Sequence, residues 1–210
     1  MLDRWLTLVA RVSNLYHPDV ARGVFDDLVA HYTAMDRRYH DLHHIEACLA
    51  LFDSVRELAP HPDSIELAIW FHDVIYDSRR GDNEEASAEW AGTVLARLGV
   101  PSSLKQSIRD LILVTRHNTP PVDPDAALIM DIDLSIWGQP VPVFDVYEMG
   151  VRFEYAWVPD PAYRIGRTKV LQSFLNRPRI YYTDYFYGTL ESAARQNLTH
   201  SLAKLKAGER

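Results

Sequence analysis

The chain has 210 residues and a mass of 24.1 kDa, a size that predicts one compact domain. Hydrophobic residues make up 47% and charged residues 24%, which excludes intrinsic disorder and collagen, and the single cysteine, Cys48, excludes a disulfide-stapled mini-domain. The net charge of −7 argues against a general nucleic-acid binder. Because residues 1–5 include an acid and begin no long apolar run, we expect neither a signal peptide nor a membrane span, and we expect a cytoplasmic protein.

Charged residues are spread unevenly along the chain. Residues 1–150 hold 12 Lys and Arg against 24 Asp and Glu, whereas residues 151–210 hold 10 against 5. This pattern is typical either of ordinary solvated helix faces or of an acidic part that holds a metal beside a basic part that holds an anion. Because the chain has nine histidines and one cysteine, the ligands of any metal should be nitrogen and oxygen rather than sulfur.

Apolar residues recur at helical spacing along nearly the whole chain, and no hairpin signal interrupts them. In chain order, the predicted helices are 18–32, 42–55, 62–76, 83–99, 101–114, 125–136, 143–157, 161–175 and 184–206. The proline-rich segment 117–124 predicts a loop. The sequence therefore predicts a single all-α domain over residues 1–210, with eight to ten helices, a metal-site core at about 35–140 and C-terminal helices at 141–210.

Two pairs of residues point to a metal. His40 and His44 are four apart, so on a helix they project from one face, as metal-binding histidine pairs do; the alternative is a solvated surface pair. His72 and Asp73 interrupt a stretch that is apolar around the whole circumference of its predicted helix. An unpaired carboxylate there would be costly, so Asp73 should be neutralised by a cation or by strong donors. The alternative is a hydrogen-bonded His–Asp pair inside the core.

Asp131 and Asp133 interrupt a third apolar run. Being two residues apart, they point to nearly opposite sides of a helix, so only one of them should reach the same metal. By themselves they are equally consistent with a helix cap or a salt-bridged pair. Joined to His44, His72 and Asp73, one of them completes a set of two imidazoles and two carboxylates, which suits Mn, Fe, Co, Ni, Mg or Zn.

The order His…His-Asp…Asp on successive helices resembles the HD-domain superfamily of metal-dependent phosphohydrolases. Three segments are similar to a bacterial subgroup of predicted HD hydrolases: Arg38-Tyr39-His40-Asp41-Leu42-His43-His44-Ile45, Trp70-Phe71-His72-Asp73-Val74-Ile75-Tyr76-Asp77 and Asp131-Ile132-Asp133-Leu134-Ser135. The order and spacing of these segments extend the resemblance over residues 35–140.

The resemblance implies a set of metal ligands. His44 matches the first histidine, and His72 and Asp73 match the doublet that follows. For the last ligand the resemblance favours Asp133, because Asp-Leu-Ser is similar to the corresponding segment of cyclic-nucleotide phosphodiesterases, with Asp131 as the second choice. Many two-metal members have a further histidine shortly after the doublet, where this chain continues Val74-Ile75-Tyr76-Asp77, so one divalent ion is expected.

The remaining catalytic candidates are His40, Asp77, Glu84 and His117. His40 shares a helix face with His44 and could ligate weakly or contact substrate. Asp77 and Glu84 could act as general base, orient water or serve a second metal. For Glu84 the alternative is a favourable position at a helix N-terminus, and for His117 it is a cap at a helix C-terminus.

A phosphorylated substrate needs cationic or hydrogen-bonding partners. The candidates for substrate binding are Arg38, Arg116, Arg164, Arg167 and Lys169, together with Asp131 if it is not a ligand. For the last three basic residues the alternative is that they neutralise acidic residues of the first 150.

The resemblance implies a metal-dependent phosphohydrolase that cleaves a phosphate ester or anhydride of a small molecule by metal-activated water, with a nucleotide as the leading candidate. We expect a small phosphorylated substrate, no nucleic-acid or membrane partner, and leave a homodimer open. Two alternatives remain. One is a di-iron HD-type oxygenase, which would use extra histidines such as His40, His43 and His117. The other is a non-catalytic module that binds a nucleotide in the same pocket.

Overall fold

The computed structural model describes residues 1–208, and within that range the chain forms ten α-helices and no β-strand. The all-α prediction is therefore confirmed. In chain order, the helices are α1 (Leu2–Val12), α2 (Pro18–Tyr32), α3 (Leu42–Val55), α4 (Pro62–Phe71), α5 (Asn83–Arg97), α6 (Ser102–Val114), α7 (Pro124–Asp133), α8 (Val141–Glu154), α9 (Asp160–Leu175) and α10 (Asp184–Ala207). Short 3-10 helices follow α3 and α7, at Arg56–Leu58 and Leu134–Gly138.

Helix α1 is the element that the sequence analysis missed. Trp5, Leu8 and Val9 form its buried face, at spacings typical of an amphipathic helix. The indole Nε1 of Trp5 donates to the carbonyl of Ala21 at 2.7 Å, which joins α1 to α2. The apolar spacing that predicts the other helices was therefore present here as well.

Three predicted helices, α4, α7 and α8, end at least three residues earlier than expected, the last at Glu154 rather than at 157. Helix α4 ends at Phe71 rather than at Tyr76, so the His72-Asp73 pair lies just past the helix instead of inside it. The amide of Val74 bonds the carbonyl of Phe71 at 3.1 Å, which closes a turn where the helix would otherwise continue. Helix α7 ends at Asp133, and the chain goes on as the 3-10 helix up to Gly138.

The chain divides into two compact units. The first spans Met1–Ile129 and the second begins at Met130. In the first unit α1 packs on α2, α3 on α4, and both α4 and α5 on α6. Its core is aromatic at the centre, with the ring of Trp5 edge-on to Trp70 at 5.5 Å and to Phe71 at 5.8 Å.

The second unit is built around α10, which packs on α9 and on the 3-10 helix Leu134–Gly138. Gly138 allows this close approach, because a Cβ atom added there would lie 2.6 Å from the Cβ of Leu190. None of the helices between residues 1 and 208 combines the length and the hydropathy needed to cross a membrane.

Candidate metal centre

His44 is placed by the start of α3. Asp41 caps that helix, and its Oδ1 accepts hydrogen bonds from the amides of His43 at 2.9 Å and His44 at 3.2 Å. Such a cap fixes the first turn of a helix. The cap thus fixes the backbone at His44, a residue that is 6% exposed.

His72 is placed by the end of α4. Its Nδ1 lies 2.9 Å from the carbonyl oxygen of Ile69. A carbonyl can only accept, so Nδ1 carries the proton, and in the neutral ring Nε2 then holds the lone pair. A backbone carbonyl on the far nitrogen is the usual orienting partner of a metal-binding histidine.

Three side-chain atoms meet in the first unit. His72 Nε2 lies 3.2 Å from His44 Nε2 and 3.1 Å from Asp73 Oδ2, and the distance from His44 Nε2 to Asp73 Oδ2 is 3.7 Å. Ligand atoms about 2.1 Å from a shared cation are about 3.0 Å apart at right angles and about 3.4 Å apart at the tetrahedral angle. Two imidazole nitrogens and a carboxylate oxygen at these separations are a donor set that could hold a metal ion.

The two aspartates of the third motif have different surroundings. Asp131 is fully buried, and its carboxylate accepts from the amides of Tyr182 at 2.8 Å and Thr183 at 2.7 Å, and from the Thr183 hydroxyl at 2.7 Å. Both of its oxygens are therefore engaged inside the second unit. Asp133 is half-buried and is the last residue of α7, one turn beyond Ile129.

His40 lies in an aromatic cluster next to His44. Its ring stacks on Tyr76 with 4.0 Å between centroids, and the ring of Tyr39 lies 4.9 Å from His40 and 4.8 Å from His44. Sequence reasoning missed Tyr39 and Tyr76 as neighbours of the centre. The signal available was that both occur within the two histidine motifs.

Glu84 lies in the first turn of α5. Burial raises the pKa of the Glu84 carboxyl above its usual value, the negative charge of Asp73 adds to the rise, and the positive charge of Arg116 opposes it. The Arg116 guanidinium lies 3.8 Å from Glu84, pairs with Glu85 and donates to the carbonyl of Gly81 at 3.1 Å. A carboxyl that holds its proton above the usual pH range, within the field of Asp73, suits acid–base work.

The two other catalytic candidates, Asp77 and His117, lie in the chain segments before α5 and after α6. His117 follows the end of α6, is buried, and has a φ of 55°, an uncommon backbone conformation for a residue other than glycine. Asp77 shapes the loop before α5: its Oδ1 accepts from the amide of Arg79 at 2.9 Å, and its own amide donates to Asn83 Oδ1 at 3.0 Å.

The basic candidates fall into two groups. In the first unit Arg38 is exposed and donates to the carbonyl of Arg37 at 3.0 Å. In the second unit Lys169 is exposed, and Arg164 lines a cavity of about 440 Å³ and donates to the carbonyl of Gly208 at 3.1 Å. None of these contacts tests substrate binding, which stays a prediction for Arg38, Arg164 and Lys169.

Arg167 is held inside the second unit. Its guanidinium pairs with Glu148 and donates to the Tyr147 hydroxyl at 2.7 Å. Burial alone would lower the pKa of Arg167, but Tyr147 and Glu148 outweigh it and hold the pKa above its usual value. The surroundings of Arg167 thus favour neutralisation of an acidic residue, Glu148, over substrate binding.

Sequence reasoning overlooked Arg37. Its side chain is buried, and its guanidinium binds backbone carbonyls at His40, Asp73 and Val74. No periodicity distinguishes Arg37 from its exposed neighbour Arg38.

Comparison with protein-family models, with curated proteins and with solved structures gives no match for this chain.

Proposed function

We propose that this protein is a metal-dependent phosphohydrolase that acts on a small phosphorylated molecule, with a nucleotide as the leading candidate. The observation behind the proposal is the convergence of His44 Nε2, His72 Nε2 and Asp73 Oδ2 within 3.7 Å in the first unit. The resemblance of the three motifs to the HD-domain superfamily supplies the reaction class.

His44, His72 and Asp73 would hold one divalent ion, and we propose Asp133 as the fourth ligand. The choice of Asp133 is supported by the engagement of both Asp131 oxygens with Tyr182 and Thr183. The mixture of nitrogen and carboxylate donors suits Mn, Fe, Co, Ni, Mg or Zn. When bound, such an ion lowers the pKa of a coordinated water and polarises a phosphoryl oxygen.

The chain's own residues have separate tasks in this proposal. The carbonyl of Ile69 keeps the Nδ1 proton of His72 in place, so that Nε2 stays directed at the centre. Glu84 can hold a proton or release it, since burial raises its pKa and Arg116 lies beside it. We propose that His40, whose ring belongs to the aromatic cluster beside His44, contacts the substrate.

The test combines metal analysis with a turnover screen. Purified protein is treated with EDTA, reloaded with Mn²⁺, Co²⁺, Ni²⁺ or Mg²⁺, and assayed for phosphate release from mono-, di- and cyclic nucleotides. We expect one ion per chain and release that is lost in His72→Ala. The matched control is His17→Ala, which replaces an exposed histidine at the N-cap of α2 and should leave release unchanged.

Two results would replace the proposal. Two irons per chain with turnover that consumes oxygen would favour the oxygenase alternative. Nucleotide binding at micromolar affinity by metal-loaded protein, without phosphate release from any compound in the panel, would favour the binding module.

A further inference from the structure

Arg37 joins the two polypeptide segments that provide the metal-binding residues of the first unit. Its Nη1 donates to the carbonyl of His40 at 2.9 Å and to the carbonyl of Asp73 at 2.7 Å, and its Nη2 donates to the carbonyl of Val74 at 2.8 Å. One guanidinium thus donates hydrogen bonds both to the backbone carbonyl four residues before His44 and to the backbone carbonyl of Asp73.

The carbonyls that Arg37 binds lie where helix geometry provides no partners. Asp73 and Val74 follow the end of α4 at Phe71, and His40 precedes the start of α3 at Leu42. Backbone carbonyls beyond a helix end need partners from outside the helix. The planar guanidinium offers several N–H groups in one fixed plane, which the single ammonium of lysine does not.

The surroundings of Arg37 hold its side chain in this position. The residue is 5% exposed, and its guanidinium lies 5.1 Å from the centroid of the Tyr32 ring and 5.8 Å from that of the Tyr76 ring. The Tyr32 hydroxyl donates to the carbonyl of Trp70 at 3.0 Å, so the aromatic ring below the guanidinium is itself fixed to α4. The attraction between the guanidinium and each ring adds to the hydrogen bonds that hold Arg37 in place.

We propose that Arg37 is a positioning residue for the metal centre: by bonding the carbonyls of His40, Asp73 and Val74, it sets the separation between the ligand atoms of His44 and Asp73. This inference rests on the proposed function, because it assumes that these side chains bind a metal ion. Replacing a residue that orients metal ligands without contacting the metal typically lowers metal affinity by about 10- to 100-fold.

The experiment measures the Kd for Co²⁺, by competition with a chromophoric chelator, and the visible absorption spectrum of bound Co²⁺, which reports coordination geometry. The variants are Arg37→Lys and Arg37→Leu. All measurements are made at a temperature where circular dichroism shows each metal-free variant to be folded. We expect Kd to rise about 10-fold in Arg37→Lys and about 100-fold in Arg37→Leu, with an altered spectrum in both.

Arg4 provides the matched control. It is a partly buried arginine of the same unit, and it pairs with Glu66 at 2.6 Å and with Asp53 at 2.6 Å. Arg4→Lys and Arg4→Leu should lower the melting temperature of the metal-free protein and leave both the Co²⁺ Kd and the spectrum unchanged.

Three outcomes would overturn the inference. The first is a wild-type Kd and spectrum in a folded Arg37 variant; if Arg37→Leu does not fold, Arg37→Lys decides. The second is an equal rise in Kd in Arg4→Leu, which would assign the effect to general stability. The third is a wild-type protein that binds no metal, and this one alone also ends the proposed function, so the two failures are distinguishable.

Discussion

The Nε2 atoms of His44 and His72 lie 3.2 Å apart, and the second is also 3.1 Å from Asp73 Oδ2. A hydrogen bond between the two imidazoles needs a proton on one Nε2, whereas a bound cation would satisfy both nitrogens and the carboxylate together. His72 Nδ1 donates to the carbonyl of Ile69, so in the neutral ring Nε2 is an acceptor that faces His44 Nε2 and Asp73 Oδ2.

Replacing His72 should therefore remove metal binding. We expect His72→Ala to bind close to no Co²⁺ where the wild type binds one ion per chain, as measured by elemental analysis after gel filtration. Metal should also stabilise the wild type against urea, by about 2.7 kcal/mol at a free concentration of about 100 times Kd, and should not stabilise the variant. His200→Ala, in the exposed part of α10, is the control, and full occupancy in His72→Ala would refute the site.

Substitutions of Asp131 and Asp133 should have different effects, the first on stability and the second on metal binding. Asp131→Asn replaces one accepting oxygen with an amide that faces the donors of Tyr182 and Thr183, so the free energy of unfolding should fall by about 1–3 kcal/mol. Asp133→Asn should instead weaken Co²⁺ binding and leave the urea midpoint of the metal-free protein close to that of the wild type. If the effects were exchanged, Asp131 would be the ligand.

Glu84 should make the stability of the metal-free protein depend on pH. Its pKa in the fold is raised, chiefly by burial, so the folded state keeps a proton that the unfolded chain loses near 4.5. The stability that this carboxyl contributes is complete below that pH and is lost as the pH rises through the folded pKa. Glu84→Gln removes this loss, so the variant should gain on the wild type between pH 4 and pH 7 in urea titrations. A stability difference that stays constant over this range would contradict the shift.

Arg167 and Lys169 should differ in stability although both were candidate substrate contacts. Arg167→Leu leaves Glu148 without its guanidinium partner inside the second unit, which should cost about 3 kcal/mol. Lys169→Leu, exposed on the same helix, should change the free energy of unfolding by less than about 0.5 kcal/mol. Thermal and urea unfolding measure the stability of both variants. Equal losses of stability would mean that the buried Arg167–Glu148 pair does not account for the effect of Arg167→Leu.

The sequence by itself determined the helices, because their signals are local. Prolines at the first positions of α2 and α4 and the cap at Asp41 specify where helices begin, and apolar spacing specifies which faces are buried. The sequence also brought His44, His72 and Asp73 forward as one group, since charged and imidazole side chains within apolar helical patterns need a partner. The structure places His44 Nε2, His72 Nε2 and Asp73 Oδ2 within 3.7 Å of one another.

Only the tertiary structure decided which polar groups meet across long stretches of chain. Arg37 and Asp73 are 36 residues apart, and Asp131 and Tyr182 are 51 apart. No local pattern could therefore show that the Arg37 guanidinium donates to the carbonyl of Asp73, or that the Asp131 carboxylate accepts from the amide of Tyr182. The end of α4 at Phe71 was missed for the same reason. Apolar periodicity favours a longer helix, whereas the carbonyls of Asp73 and Val74 are bound by Arg37, a residue from a distant segment. Hydrogen bonds of this kind depend on where the folded chain places its donors, and the sequence pattern does not record that placement.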